Sequence, residues 1–257
     1  FLLYNLSFNL ISMASRSFVA YNFTISEMGL FTFSVSLTTA IMLVFNSISW
    51  VIYPKLIAEL SNSELSILNQ EKLLFIVTKK TVSFVLVLVL GSFTCLPLII
   101  YFLPEYSNSL DTVVILLINQ IAINSTFAIT SYLVGRNKFK LLITSSLFSL
   151  VVCSLLMLIF AYFNLGFKWI AFANLVGSLA FVNYLVYKTC IKQNLNYRTL
   201  SKSFNLQTQS IILIFALLIL FDLRALGFVL FTSSMLIIYW SEIYDNLHLI
   251  KVRIVKT

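Results

Sequence analysis

Charge is what this chain most lacks. Only 10% of its 257 residues are Asp, Glu, Lys or Arg, under half the share in an ordinary soluble domain, while 60% are apolar and the mean hydropathy is +0.99. That balance excludes a soluble globular domain, whose segments would carry one apolar face instead of being apolar around most of their circumference. Histidine is nearly absent as well. The single His248 lies in the tail with no neighbouring ligand set, which removes a zinc site or a Ser-His-Asp triad. Cys95, Cys153 and Cys190 show no CxxC or His-rich spacing and read as small core residues. The six glycines form no phosphate-cradling loop, so this chain hydrolyses no ATP. Its nine carboxylates all fall in loops or at helix ends, and none forms an acid/base pair inside an apolar segment. The expectation is a protein without cofactor, metal or enzymatic constellation, with no internal repeat and no low-complexity tract. There is no initiating methionine or signal peptide, so the chain is expected to be a fragment that begins inside or just before a membrane helix.

What is present is a series of apolar blocks near the ~20 residues that cross a bilayer. Eight candidate segments run over 1–23, 28–52, 80–103, 109–134, 140–163, 167–190, 209–222 and 225–241. The last two are short and are separated by a tight turn at Asp222-Leu223-Arg224. The fold class expected is therefore all-α, a polytopic transmembrane bundle. Residues 1–190 form a six-helix lobe, 191–208 a polar linker, 209–241 a terminal helix pair and 242–257 a tail.

Lysine and arginine accumulate on the cytoplasmic side of membrane proteins, and here their number alternates from one connection to the next. Fourteen lie in the 53–80, 136–140, 188–202 and 251–256 regions, against Lys168 and Arg224 alone on the other side. This alternation supports all eight crossings and places the 53–79 loop and the tail in the cytoplasm. It also accounts for the net charge of +8 without a nucleic-acid partner. The 53–79 loop reads either as an amphipathic helix lying in the interface or as an extension of the next membrane helix. Tyr21, Trp50, Tyr53, Tyr101, Tyr106, Trp169, Tyr187 and Trp240 fall near helix ends as interfacial anchors. Pro54 and Pro104 are expected to end helices, and Pro97 to kink one. Gly166 and Gly177 are packing positions.

Three segments carry polar stripes. Asn5, Asn9, Ser12 and Arg16 are spaced 4, 3 and 4 apart and stack on one narrow face. In the second segment Thr32, Ser36, Thr39 and Asn46 share a face, and in the fourth so do Gln120, Asn124 and Ser131. Small hydroxyls and amides also serve as glue between membrane helices. An arginine within a spanning segment faces a bundle interior or cavity, or else snorkels to the nearer interface. Three stripes together favour a shared polar cavity lined by Asn5, Asn9, Ser12, Thr39, Asn46, Gln120 and Asn124.

The order and spacing of several short motifs carry a resemblance over most of 1–190. They are Ser15-Arg16, Met28-Gly29-Leu30-Phe31, Tyr53-Pro54-Lys55-Leu56, Leu103-Pro104-Glu105-Tyr106 and Gly135-Arg136-Asn137-Lys138-Phe139-Lys140. In these the chain resembles the carboxy-terminal half of bacterial lipid-linked oligosaccharide flippases of the O-antigen exporter type, within the multidrug/oligosaccharidyl-lipid/polysaccharide exporter superfamily. Ser15 stands where the family often has an aspartate, and Leu30-Phe31 replaces a family tyrosine. The resemblance implies one lobe of a two-lobed transporter in a bacterial inner membrane, with a cytoplasmic carboxy-terminus. That transporter flips undecaprenyl-pyrophosphate-linked sugar units by alternating access. The implied partners are the lipid-linked oligosaccharide, the bilayer, and polysaccharide polymerase and chain-length proteins; Arg16 would contact pyrophosphate or an acidic sugar. The rival readings are an ion-coupled multidrug antiporter of the same superfamily, a membrane polysaccharide polymerase or ligase, and a scaffolding half-transporter.

Overall fold

A computed structural model describes residues 13–61, 66–193, 195–197, 200 and 206–254. Every regular element among them is helical. Helix α1 covers 13–22, α2 Ile25–Ser61, α3 Ile67–Phe102, and a 3-10 turn Pro104–Ser109 leads into α4 Leu110–Asn124. Then follow α5 Phe127–Gly135, α6 Phe139–Tyr162, α7 Lys168–Gln193, α8 Leu206–Leu220 and α9 Arg224–Ile254. Five spans are long and apolar enough to cross a membrane: α2, α3, the Pro104–Gly135 unit, α6 and α7. This is a multi-pass membrane protein with an all-α bundle fold. The α8–α9 pair is apolar but short in its apolar part, as the sequence indicates.

The α4–α5 unit and α7 form the centre. Their apolar windows are 78% and 72% buried, against 28–33% for α2, α3 and α6, so the outer helices turn most of their surface outward. Helix α7 packs against α6, α4 and α8; the α4–α5 unit packs against α2 and α3; and α9 packs against α8 and α3. One core holds Phe31, Val85, Leu117, Ile170 and Phe215, and a second, at the far end, gathers Leu56, Leu60, Leu74, Tyr132, Leu142 and Leu185.

Three connections end their helices in the same way. Asn137, Asn164 and Asp222 have φ of 56°, 51° and 61°, a left-handed geometry that Asn and Asp adopt more readily than other non-glycine residues. The residue after each reaches back to a carbonyl one turn earlier: Lys138 N to Leu133 O at 2.8 Å, Leu165 N to Phe160 O at 3.0 Å, and Leu223 N to Leu218 O at 2.8 Å. This closure satisfies carbonyls that a helix end would leave open.

Three expectations need correction, and one alternative is decided. Pro54 lies inside α2 and does not end it. The proline forfeits one backbone bond, but Leu56 and Leu60 beyond it are buried in the second core, and that burial carries the helix on. Of the two readings of the 53–79 region, the described residues favour helix extension: 53–61 end α2 and 67–79 begin α3, helices 37 and 36 residues long, each ~55 Å at 1.5 Å per residue. The 109–134 segment is interrupted at Ser125-Thr126, where the ladder tightens to Thr126 N→Ile123 O at 3.2 Å and the two hydroxyls bond Ala122 O and Ile123 O at 2.7 Å each. Such back-bonding competes with the helical pattern. Cys95 is exposed, whereas Cys153 and Cys190 are buried as expected.

Candidate functional site

Asn5, Asn9 and Ser12 lie outside the described residues, so the structure bears on the first stripe only through Arg16. On α1, Ser15 and Val19 are buried, while Met13 and Tyr21 are exposed. At 100° per residue Arg16 falls on the boundary between these two faces, and it is half-buried. Its Nε is shielded from solvent and makes no hydrogen bond among the described residues. Ser15, where the resemblance would put a carboxylate, donates to Asn174 Oδ1 at 2.8 Å.

The second stripe stays together. Ser34, Thr38, Met42 and Phe45 turn inward, whereas Ser36, Thr39 and Asn46 are exposed and Thr32 is half-buried. The exposed arc of α2 divides into two halves. Val44, Ile48, Val51 and Ile52 occupy one, and Thr32, Ser36, Thr39, Asn46 and Ser47, interrupted by Leu43 and Trp50, occupy the other. The apolar half suits lipid. Thr39 and Ser47 return their hydroxyls to Val35 O and Leu43 O at 2.8 Å each, but Asn46 makes no side-chain bond among the described residues, and an unpaired amide does not suit lipid.

Helix α2 runs parallel to the α4–α5 unit, with Ser34 Oγ donating to Ser109 O at 3.3 Å and Phe45 against Phe127 at 6.0 Å. Asn46 lies twelve residues past Ser34, and its neighbour Phe45, like Tyr53, meets Phe127, seven residues beyond Gln120. Gln120 and Asn124 are half-buried and touch each other: Asn124 Nδ2 donates to Gln120 O at 2.8 Å and to its Oε1 at 3.4 Å. Ser131 does not extend this stripe, because the interruption at 125–126 leaves it buried with its hydroxyl on Phe127 O at 2.7 Å. Arg16 belongs to another depth. Its neighbour Ser15 ties this level of α1 to Asn174, six residues into α7. Of the candidate residues described, the structure brings Gln120 and Asn124 together, and no hydrogen bond among the described residues joins them to Asn46 or Arg16.

Comparison with known proteins adds nothing to this geometry. No family model, curated protein or solved structure matches the chain.

Two constellations were not read from the sequence. Asn174, buried on α7, accepts from Ser15 and also from Cys153 Sγ at 3.1 Å, joining α1, α6 and α7; a single amide in an apolar run has no periodic signal. The other is a quartet of charges. Arg224 Nε and Nη2 hold the two Asp111 oxygens at 2.7 and 2.9 Å, and Lys168 Nζ lies 3.3 Å from Asp222 and 3.9 Å from Asp111. Arg224 also approaches Asp222 at 3.8 Å. The charge alternation had put residues 111, 168 and 222–224 on one side of the membrane, and the quartet brings them together. Beside it an apolar cavity of about 580 Å³ runs between α3, α4, α8 and α9.

Proposed function

We propose that the chain is one lobe of a membrane transporter that flips undecaprenyl-pyrophosphate-linked oligosaccharide from the cytoplasmic to the periplasmic leaflet during surface polysaccharide synthesis. The observation that carries this reading is the half-buried Arg16, whose Nε is shielded and makes no hydrogen bond among the described residues, on a helix that the sequence reads as part of a membrane segment. A guanidinium held there is costly unless an anion or water meets it, and its planar fork suits phosphate oxygens. The polar half of the α2 surface and the Gln120–Asn124 amides support a sugar path, since amides and hydroxyls bond sugar hydroxyls. Under this proposal both face the second lobe of the transporter. On this reading the basic end of the bundle faces the cytoplasm of a bacterial inner membrane, and the energy source is not ATP bound by this chain.

The antiporter alternative needs a membrane carboxylate able to cycle its charge. Asp111 is the buried carboxylate nearest that description, but Arg224 holds both its oxygens, which favours the flippase. The test is complementation of a flippase-deficient strain with the full-length gene, scoring surface glycan and lipid-linked intermediate. Rescue by wild type with Arg16→Ala reducing surface glycan at equal protein level is the expected outcome. Full export by the alanine variant would remove Arg16 from the mechanism.

A further inference from the structure

The cavity beside the charge quartet has the dimensions and chemistry of a lipid site. Its floor is Leu96, Val114 and Ile219, all buried, and its open side carries Thr94, Pro97 and Leu236. Pro97 sits on its wall inside α3, where the ring removes a helical donor and interrupts regular packing. Along α9 the cavity reaches from Arg224 to Leu236, twelve residues or ~18 Å. That is close to half the ~30 Å hydrocarbon core, so the groove is about one leaflet deep and opens at the charged end of the bundle.

The quartet itself is electrically balanced. Two cations and two carboxylates face one another, with Asp222 69% and Arg224 52% exposed in their side chains. Arg224 spends two donors on Asp111 and keeps others outward. Lys168 retains donors beyond its bond to Asp222. An anionic headgroup would find cations already matched by carboxylates, and a cationic one the converse. A headgroup carrying both charges finds a partner for each: phosphate on the outward donors of Arg224 and Lys168, and ammonium on the exposed Asp222 carboxylate.

We propose that this groove is the seat of a zwitterionic glycerophospholipid from the leaflet at the quartet end, with one acyl chain between α3 and α9 and its headgroup on the Asp111–Lys168–Asp222–Arg224 cluster. The lipid acts as a wedge that fixes the terminal helix pair to the bundle, and its binding is independent of the transport reading.

The experiment is native mass spectrometry of the full, detergent-purified protein titrated with phosphatidylethanolamine or phosphatidylglycerol of identical chains. Phosphatidylethanolamine is expected to bind about fivefold tighter, a difference of ~1 kcal/mol. Asp222→Asn, which removes the ammonium's partner and leaves a cation unmatched, is expected to erase that preference by weakening phosphatidylethanolamine binding, with phosphatidylglycerol binding no weaker. Thr232→Trp, which fills the groove, should weaken both lipids about tenfold with helical circular dichroism intact; Leu236→Trp at the open edge replaces it if that variant does not fold. Equal affinity of the two lipids for wild type, a preference that survives Asp222→Asn, or unchanged binding in the groove-filled variant would each overturn the proposal. None of these results depends on whether the protein exports glycan.

Discussion

Asn174 sits where three helices meet, and its two incoming hydrogen bonds show how a membrane core is held without charge. Each such bond is worth only about 0.6 kcal/mol, and the hydroxyl of Ser15 can turn to its own helix when the acceptor is lost. Asn174→Ala should therefore lower stability by about 1 kcal/mol, read as a small fall in the thermal midpoint in detergent. The adjoining contact is less forgiving. A Cβ on Gly177 would stand 2.9 Å from Cys153 Cβ, so Gly177→Ala should cost about 1–3 kcal/mol by forcing α6 from α7. Cys153→Gly in the same chain should make the pair less destabilised than the sum of the singles; strict additivity would mean that this contact is not what limits the approach. Gly177 is recognisable in the sequence as a packing residue, since small residues let membrane helices approach. The role of Asn174 is not, because its partners are 159 and 21 positions away.

At the scale of elements, hydropathy shows where helices cross but not where they stop. Nothing in the bilayer ends α2 at Pro54: beyond it, Leu56 and Leu60 find Leu74, Tyr132 and Leu185. The extension is made by tertiary burial that no local window contains. Pro54 thus leaves one carbonyl short of its helical donor, and Pro54→Ala should raise the thermal midpoint, by up to the ~3 kcal/mol that separates the two residues in a helix interior. A lower midpoint would mean that the proline sets a bend the second core needs. The quartet has the same tertiary origin. The alternation of basic residues places its members on one side, yet pairing among 111, 168, 222 and 224 depends on how α4, α7 and the terminal pair pack. Arg224→Ala should cost about 1 kcal/mol, reduced by the exposure of the arginine, and Asp111→Asn in that background should recover part of it. A double-mutant cycle with no coupling would contradict the brace.

At the scale of the whole molecule, the two ends of the bundle differ in sign. Among the described residues up to Trp240 the far end carries Lys55, Lys72, Lys79, Lys80, Arg136, Lys138, Lys140, Lys188 and Lys192 against Glu59 and Glu71; the quartet end carries Lys168 and Arg224 against Glu27, Glu105, Asp111 and Asp222. The bundle class and this polarity are legible from the sequence, because apolar length and loop charge are local quantities. The Gln120–Asn124 pair was legible as part of a stripe, whereas the break at 125–126 that turns Ser131 away from it is set by hydroxyl back-bonding that periodicity does not show. Single cysteines at 72 and 105 in a cysteine-free background should be labelled from the cytoplasm and from outside, respectively, and the reverse pattern would invert the direction of transport.

The central claim is that Arg16 meets the anionic part of a lipid-linked sugar as it crosses. Its most direct measurement is flipping of a fluorescent, pyrophosphate-linked oligosaccharide in proteoliposomes of the full-length protein, comparing wild type with Arg16→Lys and Arg16→Ala. The account predicts that lysine, a point charge without the guanidinium fork, retains part of the rate and that alanine loses at least about tenfold, ~1.4 kcal/mol in the barrier. Equal rates for all three proteins would contradict it.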